Sequence, residues 1–387
     1  MLNFSTNQAQ SQGQDLRFSK ADGTHLQYEI ENWDSAGKAA SAWVLVDTVF
    51  QSSATQYIKM YWGKSDAVAK TNSNAVFDTA NNFAGVWHLS NSVFSDATYN
   101  NATTTNSNTT DTVGVIGTAR KFIGANRDYM QANGLMGSPA VVTLSAWVKL
   151  DSVDGVNLGA VPISIGDCAA LNITRAVNGS RDSMSCFYHY NNEWNVSVEP
   201  GGANHILHNG WKYLTYVCNP GGSSVITYLN GVSVKTSVFT QAIYYTGAGS
   251  NTLFGRHGNG GTGSDFGGVL DEPRIEKTAR NADWIKLCYN TQMPSATVIG
   301  VDSTTEMFLP LTVSTFGASQ GDSLDSCIIA TKKWTLKFDR FTAGGIKWLS
   351  PDSMGTATNQ LDTNLFYLIT NNNRSDTGLG MLKLQDK

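Results

Sequence analysis

The stretch GGVLDEPRIEKTARNADWIKLCYN, residues 267–290, holds two grammars in succession. Its first half, GGVLDEPRIEK, reads as a strand carrying three acids, Asp271, Glu272 and Glu276. Its second half reads as a helix. Asn281 is placed to cap it, Asp283 complements the N-terminal dipole, and Trp284, Leu287 and Cys288 recur at helical spacing. The acids pose a choice between a catalytic carboxylate set, a metal site and a fixture of the fold. On a regular strand Asp271 and Glu272 point to opposite faces. That geometry cannot supply the pair of carboxyls about 5–5.5 Å or 6.5–9.5 Å apart that glycoside hydrolysis needs. Pro273 lacks an N–H donor, so the segment is expected at a sheet edge or beside a bulge.

Outward from this stretch the chain is a succession of strand patterns. VTLSAWVKL (142–150), AVPISIG (160–166), SMSCFYHYNN (183–192), WKYLTYVC (211–218), SVITYLNGVSVKT (224–236) and NTLFGR (251–256) are separated by Gly- and Asn-rich turns. Asn230-Gly231, between Leu229 and Val232, signals a tight hairpin. Upstream, DLRF, HLQYEIENW, SAWVLVDTV and QYIKMYWG alternate in period two, so residues 1–82 read as a small β unit. Residues 83–295 form a larger β-sandwich, 296–306 a linker, and 307–387 a third β unit with strands in KKWTLKFDRF, GGIKWLS and NLFYLIT. VIGV (298–301) is a candidate short strand. Trp43, Trp87 and Trp147 sit in apolar strand patterns and are expected in the core.

The 387 residues carry a formal net charge of -4 and only 15% charged residues, which argues against a nucleic-acid surface. Segments such as NNATTTNSNTTDT (100–112) supply polarity from Asn, Ser and Thr instead, a balance suited to an extracellular, loop-rich β protein. No apolar run approaches the ~20 residues of a membrane helix. The first residues lack the basic start and apolar centre of a signal peptide, and Met1 is read as a fragment start. Five cysteines cannot all pair within one chain, and none has CxxC spacing. A Cys168–Cys186 disulfide across a hairpin near Asn178 is one option, small buried thiols the other. No G-x-S-x-G or HExxH motif occurs, and GNGGTGSDFGG lacks the setting of a phosphate loop.

FIGANRDYM (122–130), LSAWVKL (144–150), GWKYLTYVC (210–218), ITYLNGV (226–232) and the stretch 267–290 occur in the order seen in concanavalin A-like, laminin-G-type domains. Residues 83–295 resemble that family. The N-terminal motifs DLRFSKADGTHLQYEIENW, YIKMYWGK and GVWHLS resemble a bacterial domain of unknown function. That family commonly precedes laminin-G-type domains, and occurs in some proteins attached to MotA/TolQ/ExbB-type proton channels. Its usual first strands are truncated here. The resemblance implies an all-β, antiparallel jelly-roll sandwich, flanked by a smaller N-terminal β unit and a C-terminal β unit. It also implies binding of glycans or proteins without chemistry, and in many members a structural calcium.

On that resemblance Asp271 is a calcium ligand, with Asp96 of SDATYNNAT (95–103) as the second and Asp128 of NRDYM as a third. The plainer alternatives make Asp271 a partner of Arg274 or a backbone cap, Asp96 a turn residue, and Glu272 with Arg274 a structural ion pair. Relatives with glucanase activity carry Glu-x-Asp-x-x-Glu, an alternation that Asp271-Glu272-Pro273-Arg274-Ile275-Glu276 breaks. A glycan site would need exposed aromatic and amide groups. FYHYNNEWN (187–195) offers Tyr188, His189, Tyr190, Asn192 and Trp194, and GRHGNGGTGSDF (255–266) offers Arg256, His257 and Asp265. Strand alternation should bury about half of those aromatics. The expected function is a non-catalytic, exported or cell-surface protein binding a carbohydrate or cell-surface protein. The alternative is a structural subunit that self-associates in a larger assembly. Membrane attachment is expected only through segments outside this chain.

Overall fold

The computed structural model describes residues 9–37, 39–50, 53, 56–90, 94–153, 159–174, 182–199, 205–258, 260 and 263–293, together with four strands beyond residue 311. Contacts divide the chain into two units, Met1–Val301 and Asp302–Lys387.

Within the first unit, the N-terminal strands are β1 (Arg17–Lys20), β2 (His25–Leu26), β3 (Tyr28–Asp34), β4 (Ala39–Val44) and β5 (Ile58–Tyr61). They form a three-stranded sheet, β2-β1-β5, and a β3-β4 hairpin. Leu16, Phe18, Leu26 and Tyr28 make its small core. A short helix α1 (Ser73–Val76) follows. Next come β6 (Phe83–Val86), β7 (Thr104–Ser107), β8 (Thr110–Val113), β9 (Thr118–Phe122), β10 (Tyr129–Asn133), β11 (Val142–Val153), β12 (Ala160–Ile165) and β13 (Ala169–Thr174). The series continues with β14 (Ser183–Tyr190), β15 (Glu193–Val198), β16 (Lys212–Asn219), β17 (Ser224–Leu229), β18 (Val232–Ser237), β19 (Asn251–Phe254) and β20 (Phe266–Glu276), then helix α2 (Ala282–Gln292).

These strands build two antiparallel sheets, ordered β15-β14-β13-β12-β19-β10-β7 and β18-β17-β16-β11-β20-β9-β8, with β6 also on β20. Trp87, Phe122, Met130, Leu144, Leu150, Ile163, Tyr188, Tyr216, Phe254 and Phe266 close the core between them. The architecture is the expected all-β antiparallel sandwich. Alternation places Leu144, Ala146, Val148 and Leu150 of β11 in that core. Trp147 therefore lies on the other face, where α2 covers it with Ile285, and Gln292 Oε1 accepts from its indole N–H at 2.9 Å. Trp87 is also buried, whereas Trp43 is partly buried at the margin of a small cluster.

The hairpin signal holds: Leu229 pairs with Val232, and Asn230 and Gly231 have φ of 51° and 77°. The helix start holds too, with Asn281 Oδ1 accepting from Trp284 N at 2.8 Å. Asn281→Ala should therefore cost about 1 kcal/mol, read as a lower urea midpoint at unchanged m value.

Of the two options for Cys168 and Cys186, small buried thiols is the one that holds. Cys168 and Cys186 are free, buried thiols. Ala169 pairs with Tyr188, and His189 N donates to Cys168 O, so Cys168 faces His189 rather than Cys186. Burial pushes both thiols up to about 12.

The second unit contains an antiparallel sheet of β21 (Thr312–Phe316), β22 (Ser326–Ala330), β23 (Thr335–Asp339) and β24 (Ile346–Ser350), in sequential order. The first two strands escaped the sequence reading, and VIGV and NLFYLIT lie outside the described residues. Among the described residues no helix is long and apolar enough to cross a membrane.

Candidate functional site

The acidic stretch lies on β20, a central strand with β11 on one side and β9 and β6 on the other. The edge alternative for Pro273 is thereby corrected, and the bulge is what the structure contains. Ser145 pairs with Arg274 but Trp147 with Asp271, so Glu272 and Pro273 together oppose Ala146. Glu272 adopts φ of +52°, the left-handed region that a side chain with Cβ rarely enters. Pro273 loses nothing by lacking an N–H here, and its carbonyl accepts from Trp87 N at 3.1 Å.

The bulge also overturns the argument that Asp271 and Glu272 point to opposite faces. Strict alternation ends at Leu270 and resumes at Arg274, and the intervening left-handed residue aims Glu272 at Arg274. Arg274 Nη2 donates to Glu272 Oε2 at 2.7 Å. The expected structural ion pair is present, and it is buried.

Around it the N-terminal unit and the sandwich meet. His88, just after β6, places Nδ1 2.6 Å from Glu272 Oε1 and 3.4 Å from Glu31 Oε2. Its Nε2 lies 3.2 Å from Glu29 Oε2. Trp43 donates its indole N–H to Glu31 Oε2 at 2.6 Å and stacks on the His88 ring at 5.9 Å. The Arg274 guanidinium sits 4.2 Å from the Trp43 ring centroid. Glu29, Glu31 and Trp43 come from β3 and β4, which the sandwich alone lacks.

Burial sets the electrostatics of this cluster. It pushes Glu31 and Asp271 well above the usual carboxylate range, with the charge of Glu272 adding to the effect. It would lower His88, but the Glu272, Glu29 and Glu31 carboxyls overturn that and raise His88 well above its usual value. For Glu272, too, burial acts upward, and His88 with Arg274 overrides it to hold the carboxyl below its usual value. Among the described residues, Glu31, His88 and Glu272 are the group of three or more His, Cys, Asp or Glu whose ligand atoms all lie within 4.8 Å of one another.

The acids expected to hold calcium are placed otherwise. Asp96 is buried, and its carboxylate accepts from Val86 N, Thr98 N, Thr98 Oγ1 and Ala102 N at 2.9–3.0 Å. Asp271 Oδ2 accepts from Val115 N at 2.7 Å and Ile116 N at 3.1 Å, the backbone-capping role. Asp128 accepts from Ile123 N at 2.8 Å. Asp271 and Asp128 each keep one buried oxygen without a hydrogen bond, but the three do not form a shared donor set among the described residues. As a joint calcium site they do not fit.

The residues expected to touch a glycan divide by face. Tyr188 lies in the core, its hydroxyl donating to Gln241 O at 2.9 Å, and Tyr190 packs against that core. His189 and Trp194 are directly opposite on β14 and β15 and share the outer face of the seven-stranded sheet. The Trp194 ring lies 5.2 Å from His189, and Tyr244, absent from the sequence reading, lies 5.5 Å away on the imidazole. His257 approaches Phe187 of the same face at 5.4 Å, with Nε2 2.6 Å from Asp167 Oδ1. Asn192 is exposed on the β14–β15 turn with φ of 66°. Arg256 and Asp265 pair with each other at 3.1 Å, and Arg256 stacks on Tyr129 at 4.4 Å. The face thus gathers His189, Trp194 and His257, while the Arg256–Asp265 pair is satisfied internally.

Glu29, Glu31 and His88 escaped the sequence reading. Acids at alternate positions of HLQYEIENW, on one face of one strand, were the signal available.

Comparison with known proteins matches residues 124–286 to the concanavalin A-like lectin/glucanases superfamily and residues 12–91 to a domain of unknown function (DUF2341). Among solved structures, domain 4 of AbnA, a GH43 extracellular arabinanase from Geobacillus stearothermophilus in complex with arabinotriose, is 18% identical. It covers 53% of this chain and 96% of its own, with a TM-score of 0.42. The binding domain of Paraclostridial Mosquitocidal Protein 1 is 10% identical over 73% of this chain and 70% of its own, with a TM-score of 0.44. The receptor binding domain of botulinum neurotoxin D is 11% identical over 67% and 76%, with a TM-score of 0.42. No curated protein matches the chain. Most of the sandwich, residues 124–286, is thus similar to the concanavalin A-like lectin/glucanases superfamily, and residues 12–91 are similar to a domain of unknown function.

Proposed function

We propose that this chain is a non-catalytic, exported binding protein that takes a carbohydrate on the outer face of its seven-stranded sheet. The observation that carries the reading is the group of Trp194, His189 and Tyr244. Trp194 is 48% exposed and Tyr244 39%, and the imidazole between them is itself buried. An indole held against a fixed ring offers a flat apolar platform to the CH face of a sugar, and Asn192 supplies an amide nearby on the adjoining turn. The concanavalin A-like architecture is compatible with binding. The acids of β20 give no support to hydrolysis, since Asp271 and Glu272 are fully buried and engaged by backbone N–H groups, His88 and Arg274.

Glycan-array screening followed by titration calorimetry tests this. Trp194→Ala should weaken the selected glycan by about thirtyfold, the usual effect of losing a central aromatic anchor. Absence of any glycan ligand, or unchanged affinity in Trp194→Ala, would refute the reading.

The alternative, a subunit of a surface assembly, draws on the same strand. β15 ends its sheet and exposes Trp194, Val196 and Val198 on one face. Sedimentation velocity decides it: a concentration-dependent dimer abolished by Val196→Lys would support assembly, and a monomer throughout would discard it.

A further inference from the structure

We propose that Glu31, His88 and Glu272 bind a divalent transition-metal ion of the zinc class at the junction of the N-terminal strands with the sandwich. The donor set comes from three segments remote in sequence, and each is delivered by irregular backbone. Glu31 is the unpaired residue of a bulge in β3, since Ile30 pairs with Ala42 and Asn32 with Ser41. Glu272 has its left-handed φ of +52°. Leu89, next to His88, is also left-handed at +58° although its side chain is buried in the core. Such conformations cost about 1–3 kcal/mol each and persist where the surrounding structure enforces them. Two such residues and one bulge converging on a single imidazole is the arrangement of an enforced site.

An independent observation points to a ligand. Glu31 Oε1 makes no hydrogen bond although its side chain is 1% exposed, while Oε2 is engaged by Trp43. Oε2 is the atom beside His88 Nδ1, and the unpartnered Oε1 leaves the same buried carboxyl one partner short. The neighbours already resemble an outer shell. Glu29 Oε2 stands 3.2 Å from His88 Nε2, and Arg274 holds Glu272 through its second oxygen, contacts of the kind that orient ligands. A cavity of about 500 Å³, lined by Gln14, Tyr28, Ile30, Glu31, Trp33 and Lys70, lies beside Glu31.

Charge and size agree with this assignment. Glu29, Glu31, Asp271 and Glu272 meet one permanent cation, Arg274. Donors on a tetrahedral zinc at about 2.0–2.1 Å stand roughly 3.3 Å apart. The Nδ1–Glu31 separation of 3.4 Å meets this, and the 2.6 Å separation from Glu272 must open by about 0.7 Å. Three protein donors leave a position for water. The imidazole nitrogen selects against calcium, which takes oxygen donors.

The test uses the whole chain, stripped with EDTA and dialysed against zinc, manganese or calcium chloride. One zinc per chain is expected by elemental analysis, with a Tm rise of roughly 5 °C at a hundredfold excess over Kd. Glu31→Gln keeps an oxygen for Trp43, so it should fold, with its metal-free Tm as the check, and should bind zinc at least tenfold more weakly. Trp194→Ala should take up zinc normally, which separates this proposal from the glycan reading. No zinc in the wild-type protein, calcium uptake in preference to zinc, or full zinc affinity in Glu31→Gln would each overturn it.

Discussion

Arg274→Ala should lower the unfolding free energy by about 3–5 kcal/mol, one of the largest single-residue losses in the chain. The side chain is buried and bonds Glu272, which is fully buried, while covering the rings of Trp43 and Phe77. Its removal leaves the carboxylate in a medium that solvates it poorly, with His88 as the remaining cation. It also leaves a void between two rings. Arg274→Lys keeps the charge but not the planar group that stacks and donates in a fixed direction, so an intermediate loss is expected. Equilibrium urea unfolding at constant m value reads both. A loss below about 1 kcal/mol for Arg274→Ala would show that the pair contributes no more than a surface salt bridge.

Asp96→Ala should be comparably severe for a different reason. The carboxylate receives three backbone N–H groups and one hydroxyl. Each buried donor left unmatched costs about 1–3 kcal/mol, so a loss of at least about 3 kcal/mol is expected. Asp96→Asn retains one acceptor oxygen and should lose roughly half as much. Because the oxygens are already engaged, EDTA should leave the Tm of these variants shifted no further than that of the wild type. A calcium-dependent Tm in the wild type that vanishes in Asp96→Asn would instead restore Asp96 as a ligand.

Much of the sandwich was legible because its signals are local. Alternation in LSAWVKL separates Leu144, Ala146 and Val148 from Trp147, and Asn230-Gly231 fixes both the turn and its register. Asn281 marks the helix start by its own hydrogen bond. The site was legible only in pieces. Pro273 announced an irregularity, but the face on which Glu272 ends depends on a left-handed φ that no periodicity encodes. His88 stands in WHLS among strand-like neighbours, and its partners lie 59 and 184 residues away in sequence. The aromatic face was half legible for a related reason. Alternation separates Tyr188 from His189, but the sequence does not state which set faces the core, and Tyr244 arrives from a distant loop.

The shared cluster bears on how such proteins are assembled by recombination. β6 joins β20 inside the sandwich, while Glu29, Glu31 and Trp43 of the preceding strands close over its charged residues. Transplanting the sandwich alone onto another protein would leave Glu272, His88 and Arg274 without that cover. A recombination breakpoint between the two domains is therefore expected to cost stability, because it parts Glu29, Glu31 and Trp43 from His88, Glu272 and Arg274.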